Sequence, residues 1–339
     1  MKFDDRFKKL NESVMFNLSL SAKELFHSNF LGYLFGIEKT LFGEITGINN
    51  IIVKDVKREH KNIDIEIICE NGSKYLIENK VKDIIDRPQL DRIQDKNKDY
   101  ETYFLFSLLG NNFSLLGEKP ERTKWKEIGY KHIISILKNK NFKDDILNKM
   151  RDDYCDSMSI MISLLEEDYY SCDRYRLYKG NERLEQYRNI RLHDVFQKYG
   201  VSHFVNYFRK IYPKTEIKST YAYVRNGIMT FSIEIKNDKL DSVDIQIEDG
   251  QYRRSIVGLI EYKDKLRKMF ESIGWFDKDW KSEHNKLYLS YKHNDGKTKR
   301  WYQKHKIDQK IEDMSYDDLA KKIKTDLDDV ALNIKKLSF

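Results

Sequence analysis

Residues 62–89 read NIDIEIICENGSKYLIENKVKDIIDRPQ, and the fold is decided there. From 63 to 69, isoleucines alternate with Asp64 and Glu66, the two-residue period of a strand. Glu70-Asn71-Gly72-Ser73 follows, and Asn-Gly supplies the positive-φ residues that a tight hairpin wants. A second strand over 74–81 carries Glu78 and Lys80 two apart, so they share a face. Asn79 points to the other face with Tyr75 and Ile77.

A carboxylate and an ammonium in mid-strand, flanked by Leu76, Ile77 and Val81, cost free energy if the strand is buried. The plain alternative is an edge strand with a solvated face, where the pair means nothing. Asp64 across the hairpin changes the weighing. Two carboxylates converging on one point suit a hard divalent cation, Mg²⁺ or Mn²⁺ in its place, which takes oxygen ligands. The Asn79 backbone carbonyl is a further candidate ligand. The Lys80 ammonium then orients water or offsets charge on a phosphate, a set suited to phosphodiester hydrolysis. Glu66 shares the face of Asp64, and Glu59 approaches from the preceding strand as a surface carboxylate.

Ile63-Asp64-Ile65, a gap of twelve residues and then Glu78-Asn79-Lys80 form a motif with an apolar frame of Ile63, Ile65, Ile77 and Val81. Gln89-Leu90 lie downstream, and Glu24 with His27-Ser28 lie upstream on a helix. The pattern resembles the catalytic core of the PD-(D/E)xK nuclease superfamily, in particular a bacterial branch with the upstream Glu and His-Ser. It covers roughly residues 21–106, about a quarter of the chain. The proline usual before the first Asp is replaced by Ile63. The resemblance implies an α/β restriction-endonuclease-like mixed β-sheet flanked by helices. It implies Asp64 and Glu78 on the metal, Lys80 and Gln89 in catalysis, and Glu24 as an accessory ligand. Lys82 and Arg87 are candidate contacts to nucleic acid. The activity implied is hydrolysis of DNA, favoured over RNA, by a bacterial antiviral defence or restriction-like effector. The alternative is a catalytically silent module of the same fold that binds nucleic acid or a protein partner.

At 339 residues the chain suggests two domains. A net charge of +7 permits a local basic groove but does not demand one. Three cysteines without ligand spacing read as reduced thiols in a cytoplasm. No run of eighteen apolar residues exists, so no membrane partner is expected.

Ser21 and Glu24 have the form of a capping box, which predicts a helix to about Phe35 with Leu25, Phe30, Tyr33 and Leu34 inward. Glu24 either caps that helix or works near the metal, and His27 is structural or functional. A strand over 51–56 ends in the charged run 57–61. Pro88 fits the first turn of a helix, and 102–109 is a continuous apolar strand, followed by one more strand and a helix. The nuclease core is thus assigned to 1–140. Helices over 142–167 and around the Tyr- and Arg-rich stretch 169–188 suggest a connector over 141–200. A C-terminal α+β domain over 201–339 would select a target, regulate or oligomerise. Within it, Glu234-Ile235-Lys236 repeats the motif spacing beside Asp244, Gln246 and Glu248, and it reads as the wet face of a sheet. Arg253 and Arg254 then lead into a helix to about Ile273. The stripe Leu319, Ile323, Leu327, Val330, Ile334 and Leu337 is either core or the seam of a homo-oligomer.

Overall fold

The computed structural model describes residues 3–60, 63–83, 87–111, 113, 124–170, 173–178, 180–222, 228–248, 250–276, 288–292, 298–304, 311 and 314–335. The chain forms two compact units, Met1–Ser171 with Arg188–Val195, and Cys172–Tyr187 with Phe196–Phe339. Residues 141–200, read from the sequence as a connector, are divided between them.

The first unit is a mixed five-stranded sheet flanked by helices. In order across the sheet come β1 (Val53–His60), β2 (Ile63–Cys69), β3 (Lys74–Lys80), β4 (Thr102–Ser107) and β5 (Trp125–Gly129). β1, β2 and β3 are antiparallel neighbours, while β4 and β5 continue in parallel. In the hairpin turn only Gly72 is left-handed, at φ 87°, and its N–H donates to Cys69 O. β1 does not stop at Val56. Lys57 and Arg58 pair with Glu66 and Ile65, because an edge strand keeps its charged side chains in water and a charged run need not end it. Glu59 on that strand takes φ 50°, a left-handed backbone uncommon outside glycine.

Helices are named α1 (Phe3–Glu12), α2 (Val14–Ile37), α3 (Leu41–Thr46), α4 (Arg87–Lys96), α5 (Tyr130–Leu137) and α6 (Asp145–Tyr170). On one face of the sheet, Leu90 of α4 packs with Leu76, Tyr103, Leu105, Phe113 and Trp125. On the other, Phe42 of α3 lies 5.3 Å from Tyr75 and 5.7 Å from Phe104, ring centre to ring centre. Burial of both faces explains why β4 is apolar throughout. Gly129 passes so close to Gly110 that a Cβ there would sit 3.0 Å from its Cα. That approach, open only to glycine, lets α5 begin where β5 ends.

Two expectations for the flanking helices fail. α2 starts seven residues before Ser21 and is capped by Ser13, whose Oγ accepts from Phe16 N at 3.0 Å. Ser21 therefore sits inside the helix and cannot cap it. The assignment of faces also differs: Phe30 and Leu34 are buried, whereas Leu25 and Tyr33 are exposed, as are Ile146 and Met150 on α6.

The second unit holds a six-stranded antiparallel sheet in the order β10-β11-β9-β8-β7-β6. The strands are β6 (Lys218–Ala222), β7 (Ile228–Asn237), β8 (Leu240–Glu248), β9 (Gln251–Leu259), β10 (Tyr288–Lys292) and β11 (Thr298–Lys304). Its helices are α7 (Glu182–Asn189), α8 (His193–Ile211), α9 (Lys263–Ser272) and α10 (Tyr316–Ile334), of which α7 and α8 straddle the division between units. The predicted turns at 225–227 and 294–296 lie outside the described residues. β9 corrects the reading of Arg253 and Arg254 as a lead into helix. Gly250 at φ 75° turns the chain back, and Arg253 pairs with Gln246 across the ladder. Asp244 and Gln246 are buried rather than wet, while Glu234, ion-paired to Lys218, keeps the expected exposure; the side chain of Lys236 lies outside the described residues. In the Tyr- and Arg-rich stretch, Tyr175 and Tyr187 are buried, with Tyr187 stacked 4.4 Å from Phe196.

The α10 stripe is decided by burial. Leu319, Ile323, Leu327, Val330 and Ile334 are all buried within the chain, with α10 against β7 and β8. They form core, so they are not available as the seam of a homo-oligomer; Leu337 lies outside the described residues. Among the described residues no helix is long and apolar enough to cross a membrane.

Candidate active site

The site lies where β2 and β3 part. Their pairing runs from Ile68–Lys74 to Ile65–Ile77, and Asp64 and Asn79 stand just beyond the last pair. There the backbone N–H of Asn79 donates to Asp64 Oδ2 at 2.7 Å. A side chain thus continues the hairpin where the strand-to-strand ladder stops. In an extended strand the N–H and C=O of one residue point to the same side. The Asn79 carbonyl is therefore turned to the β2 side of β3, the side on which Asp64 lies.

Alternation places Glu78 and Lys80 together, with Lys80 Nζ 3.0 Å from Glu78 Oε1. Gln89, in the first turn of α4, donates from Nε2 to the same oxygen at 2.9 Å. Gln89, which the resemblance assigns to catalysis, here holds Glu78. Glu78 is 3% exposed. Among the described residues neither Asp64 Oδ1 nor Glu78 Oε2 takes a hydrogen bond.

Burial and crowding of like charge dominate the electrostatics. Burial, then the Glu78 charge, push Asp64 up to about 7, while the Asn79 N–H and Lys80 work the other way. Glu78 is raised chiefly by burial, against the pull of Lys80, with Glu59 and Glu24 adding repulsion. For Lys80 burial disfavours the charge, but Glu78, Asp64 and Glu24 outweigh it and push its pKa up. Four carboxylates thus act on a region that, among the described residues, holds one ammonium, a deficit of positive charge that a divalent cation would fill. The donor set, hard oxygens from Asp64, Glu78 and the Asn79 carbonyl, fits Mg²⁺ or Mn²⁺. Among the described residues no group of three or more His, Cys, Asp or Glu side chains is placed to hold a metal, so the fit needs that backbone oxygen.

The raised Asp64 carries a signed prediction. An acid whose folded pKa exceeds its unfolded value binds its proton more tightly when folded. Metal-free stability is then undiminished below about pH 4 and declines as pH rises toward 7. Asn in its place still accepts from Asn79 N and carries no charge. Asp64→Asn is therefore expected to raise stability by about 1–2 kcal/mol at pH 8 and hardly at all at pH 4. Urea denaturation at the two pH values checks it.

The other expected residues sort by burial. Glu24 does not cap its helix, since α2 begins ten residues earlier. Its Oε1 accepts from Lys82 N at 2.9 Å and pins the chain as it leaves β3. Lys82 departs from the expectation of a phosphate contact. It is buried, and its Nζ donates to Ser19 O and Oγ at 2.9 and 3.1 Å, beside the Phe16 ring. Arg87 opens α4, and its side chain lies outside the described residues. Glu66 is taken by His60 at 2.9 Å and by the Tyr100 hydroxyl at 2.9 Å. Glu59 is exposed but near enough to raise both acids.

Behind the strand, Asn79 is fully buried, bonded to Ser28 at 3.2 Å and to the Tyr130 hydroxyl at 2.9 Å. Tyr130 and Tyr154 did not stand out in the sequence, where Tyr154 passes as one more apolar position of a helix. The available signal was the hydroxyl itself, since a buried tyrosine needs a partner for it. No family model, curated protein or solved structure matches the chain.

Proposed function

We propose that the first unit is a metal-dependent nuclease of the PD-(D/E)xK type, with a restriction-endonuclease-like core, that hydrolyses phosphodiester bonds of DNA. The single observation that carries this reading is the convergence of Asp64, Glu78 and Lys80. The half-buried Asp64 and the buried Glu78, both raised chiefly by burial and Asp64 further by the Glu78 charge, meet at a strand end with a lysine 3.0 Å from Glu78. A structural ion pair has no use for the second acid, and burying it costs free energy.

Asp64, Glu78 and the Asn79 carbonyl would hold Mg²⁺ or Mn²⁺, with Glu24 nearby and committed to the Lys82 backbone. Such an ion, when bound, polarises a phosphoryl oxygen and lowers the pKa of a coordinated water. Lys80 stays protonated beside Glu78, and its ammonium orients the attacking water and offsets charge on the phosphate. Gln89 fixes the Glu78 carboxylate so that its remaining oxygen faces the site. Asn79 N–H does the same for Asp64. The second unit would select the target, the trigger or a protein partner, as befits a defence or restriction-like effector in a cytoplasm.

The test is incubation of the full chain with plasmid DNA, single-stranded DNA and RNA, each with Mg²⁺, Mn²⁺ or EDTA. DNA breakage that needs the ion is expected. Absence of breakage, together with no Mn²⁺ binding by calorimetry, would leave a nucleic-acid or protein-binding module.

A further inference from the structure

We infer that a one-directional chain of hydrogen bonds behind the sheet, from His27 through Tyr154, Tyr130 and Asn79 to Ser28, holds the Asn79 peptide against Asp64 and makes these four partners of Asn79 positioning residues. The proposal builds on the reading of Asp64 as part of the site.

The direction of every bond follows from one helix carbonyl. Ser28 Oγ is 3.1 Å from Glu24 O, which only accepts, so the hydroxyl proton lies there. Ser28 Oγ must then accept from Asn79, which places the Asn79 Nδ2 amine toward it, at 3.2 Å. Asn79 Oδ1 is left facing Tyr130 and can only accept, so the Tyr130 hydroxyl donates at 2.9 Å. With its proton spent, the Tyr130 hydroxyl can only accept from the Tyr154 hydroxyl beside it. Tyr154 in turn must accept from His27 Nδ1, 3.1 Å away. His27 is then the Nδ1–H tautomer, and its Nε2 carries a lone pair. That nitrogen is buried and without a hydrogen-bond partner among the described residues. Burial holds the imidazole pKa well below its usual value, in keeping with a neutral ring that has one proton to give.

The chain has a mechanical consequence. Asn79 is gripped at both ends of its side-chain amide, from α2 through Ser28 and from α5 through Tyr130. Its peptide N–H, on the site side of β3, is the link to Asp64 where the ladder to β2 has ended. Rotation of Asn79 about the strand axis would break three bonds at once. The network therefore sets the direction of the Asn79 peptide, and with it the position of Asp64 Oδ2 and of the Asn79 carbonyl. Groups that orient a ligand in this way contribute without touching it.

Tyr130→Phe removes one hydroxyl and leaves the ring. Ser28→Ala loosens the other grip, should the first variant fold poorly. In the full-length protein, amide hydrogen exchange at Asn79 is expected to accelerate about tenfold or more in either variant, with no comparable change at Phe104 in the same sheet. ¹⁵N resonances of His27 should show Nδ1 as the protonated nitrogen. Mn²⁺, titrated into the same variants, should bind about tenfold more weakly. Unchanged exchange at Asn79 in both variants overturns the proposal, and so does a His27 protonated at Nε2. If Asn79 loosens in a protein that binds no Mn²⁺ even in its parent form, the network stands and the nuclease reading falls.

Discussion

Replacing Lys80 with alanine is expected to reduce metal-dependent cleavage of plasmid DNA at least about 1000-fold, with the fold retained by circular dichroism. Two effects combine. The ammonium that would meet the phosphate is gone, and the charge that holds Glu78 down is gone with it. Lys80 is the strongest influence favouring ionised Glu78, against burial and two further acids. Without it the carboxyl takes up a proton at higher pH and becomes a poorer ligand. Glu78→Gln and Asp64→Ala should be equally silent, because each removes one of two anionic oxygen donors. A control is Lys57→Ala, at a partly exposed lysine 3.8 Å from Glu66, which should cut at the parent rate. Undiminished cutting by all three site variants would assign the chemistry to other residues.

Mn²⁺ affinity should rise about tenfold per pH unit below pH 7 and level off above it, so that binding at pH 5 is about 100-fold weaker than at pH 7. The ion binds the deprotonated acid, and Asp64 is pushed up to about 7 in the metal-free protein. Each unit of pH below that value leaves a tenth as much ionised Asp64. Glu78, also raised, steepens the dependence if it gives up a second proton. Calorimetry across this range measures the slope, and the heat of buffer ionisation counts the protons released. A flat profile between pH 5 and 7 would overturn the expectation that the ion displaces a proton from Asp64. The same displacement ties ion binding to stability. Metal-free protein bears the penalty of ionised Asp64 above pH 7, and bound ion relieves it.

The local reading of residues 62–89 carried far. Alternation alone placed Glu78 and Lys80 on one face and Asn79 on the other, since a strand has no freedom in that matter. Asp64 was brought to the same place because a four-residue turn fixes the register of a hairpin. Pro88 marked the first turn of α4, and the apolar run of β4 marked a strand buried on both faces. These are short-range constraints, written in period and turn chemistry.

What failed depended in part on partners remote in the chain and in part on local caps and turns that the period did not announce. The charged run Lys57 to His60 remains strand because β2 pairs with it, which no local signal announces. α2 begins at Val14 rather than near Ser21, as Ser13 supplies the cap. Lys82 is turned away from the site by Ser19, sixty-three residues earlier, and β9, which turns back on β8 at Gly250, is also held by β11, remote in the chain.

The sequence by itself determined the order of chemistry along the hairpin: which carboxylates, which lysine, and which face they share, because side-chain alternation is a property of the backbone. The tertiary structure decided the rest. It gave Gln89 to Glu78, Glu24 to the Lys82 backbone, and Asn79 to a line of hydroxyls ending at His27. Hydrogen bonds and desolvation depend on what packs against a group, and those neighbours come from α2, α4, α5 and α6, remote in the chain and adjacent only once the sheet has formed.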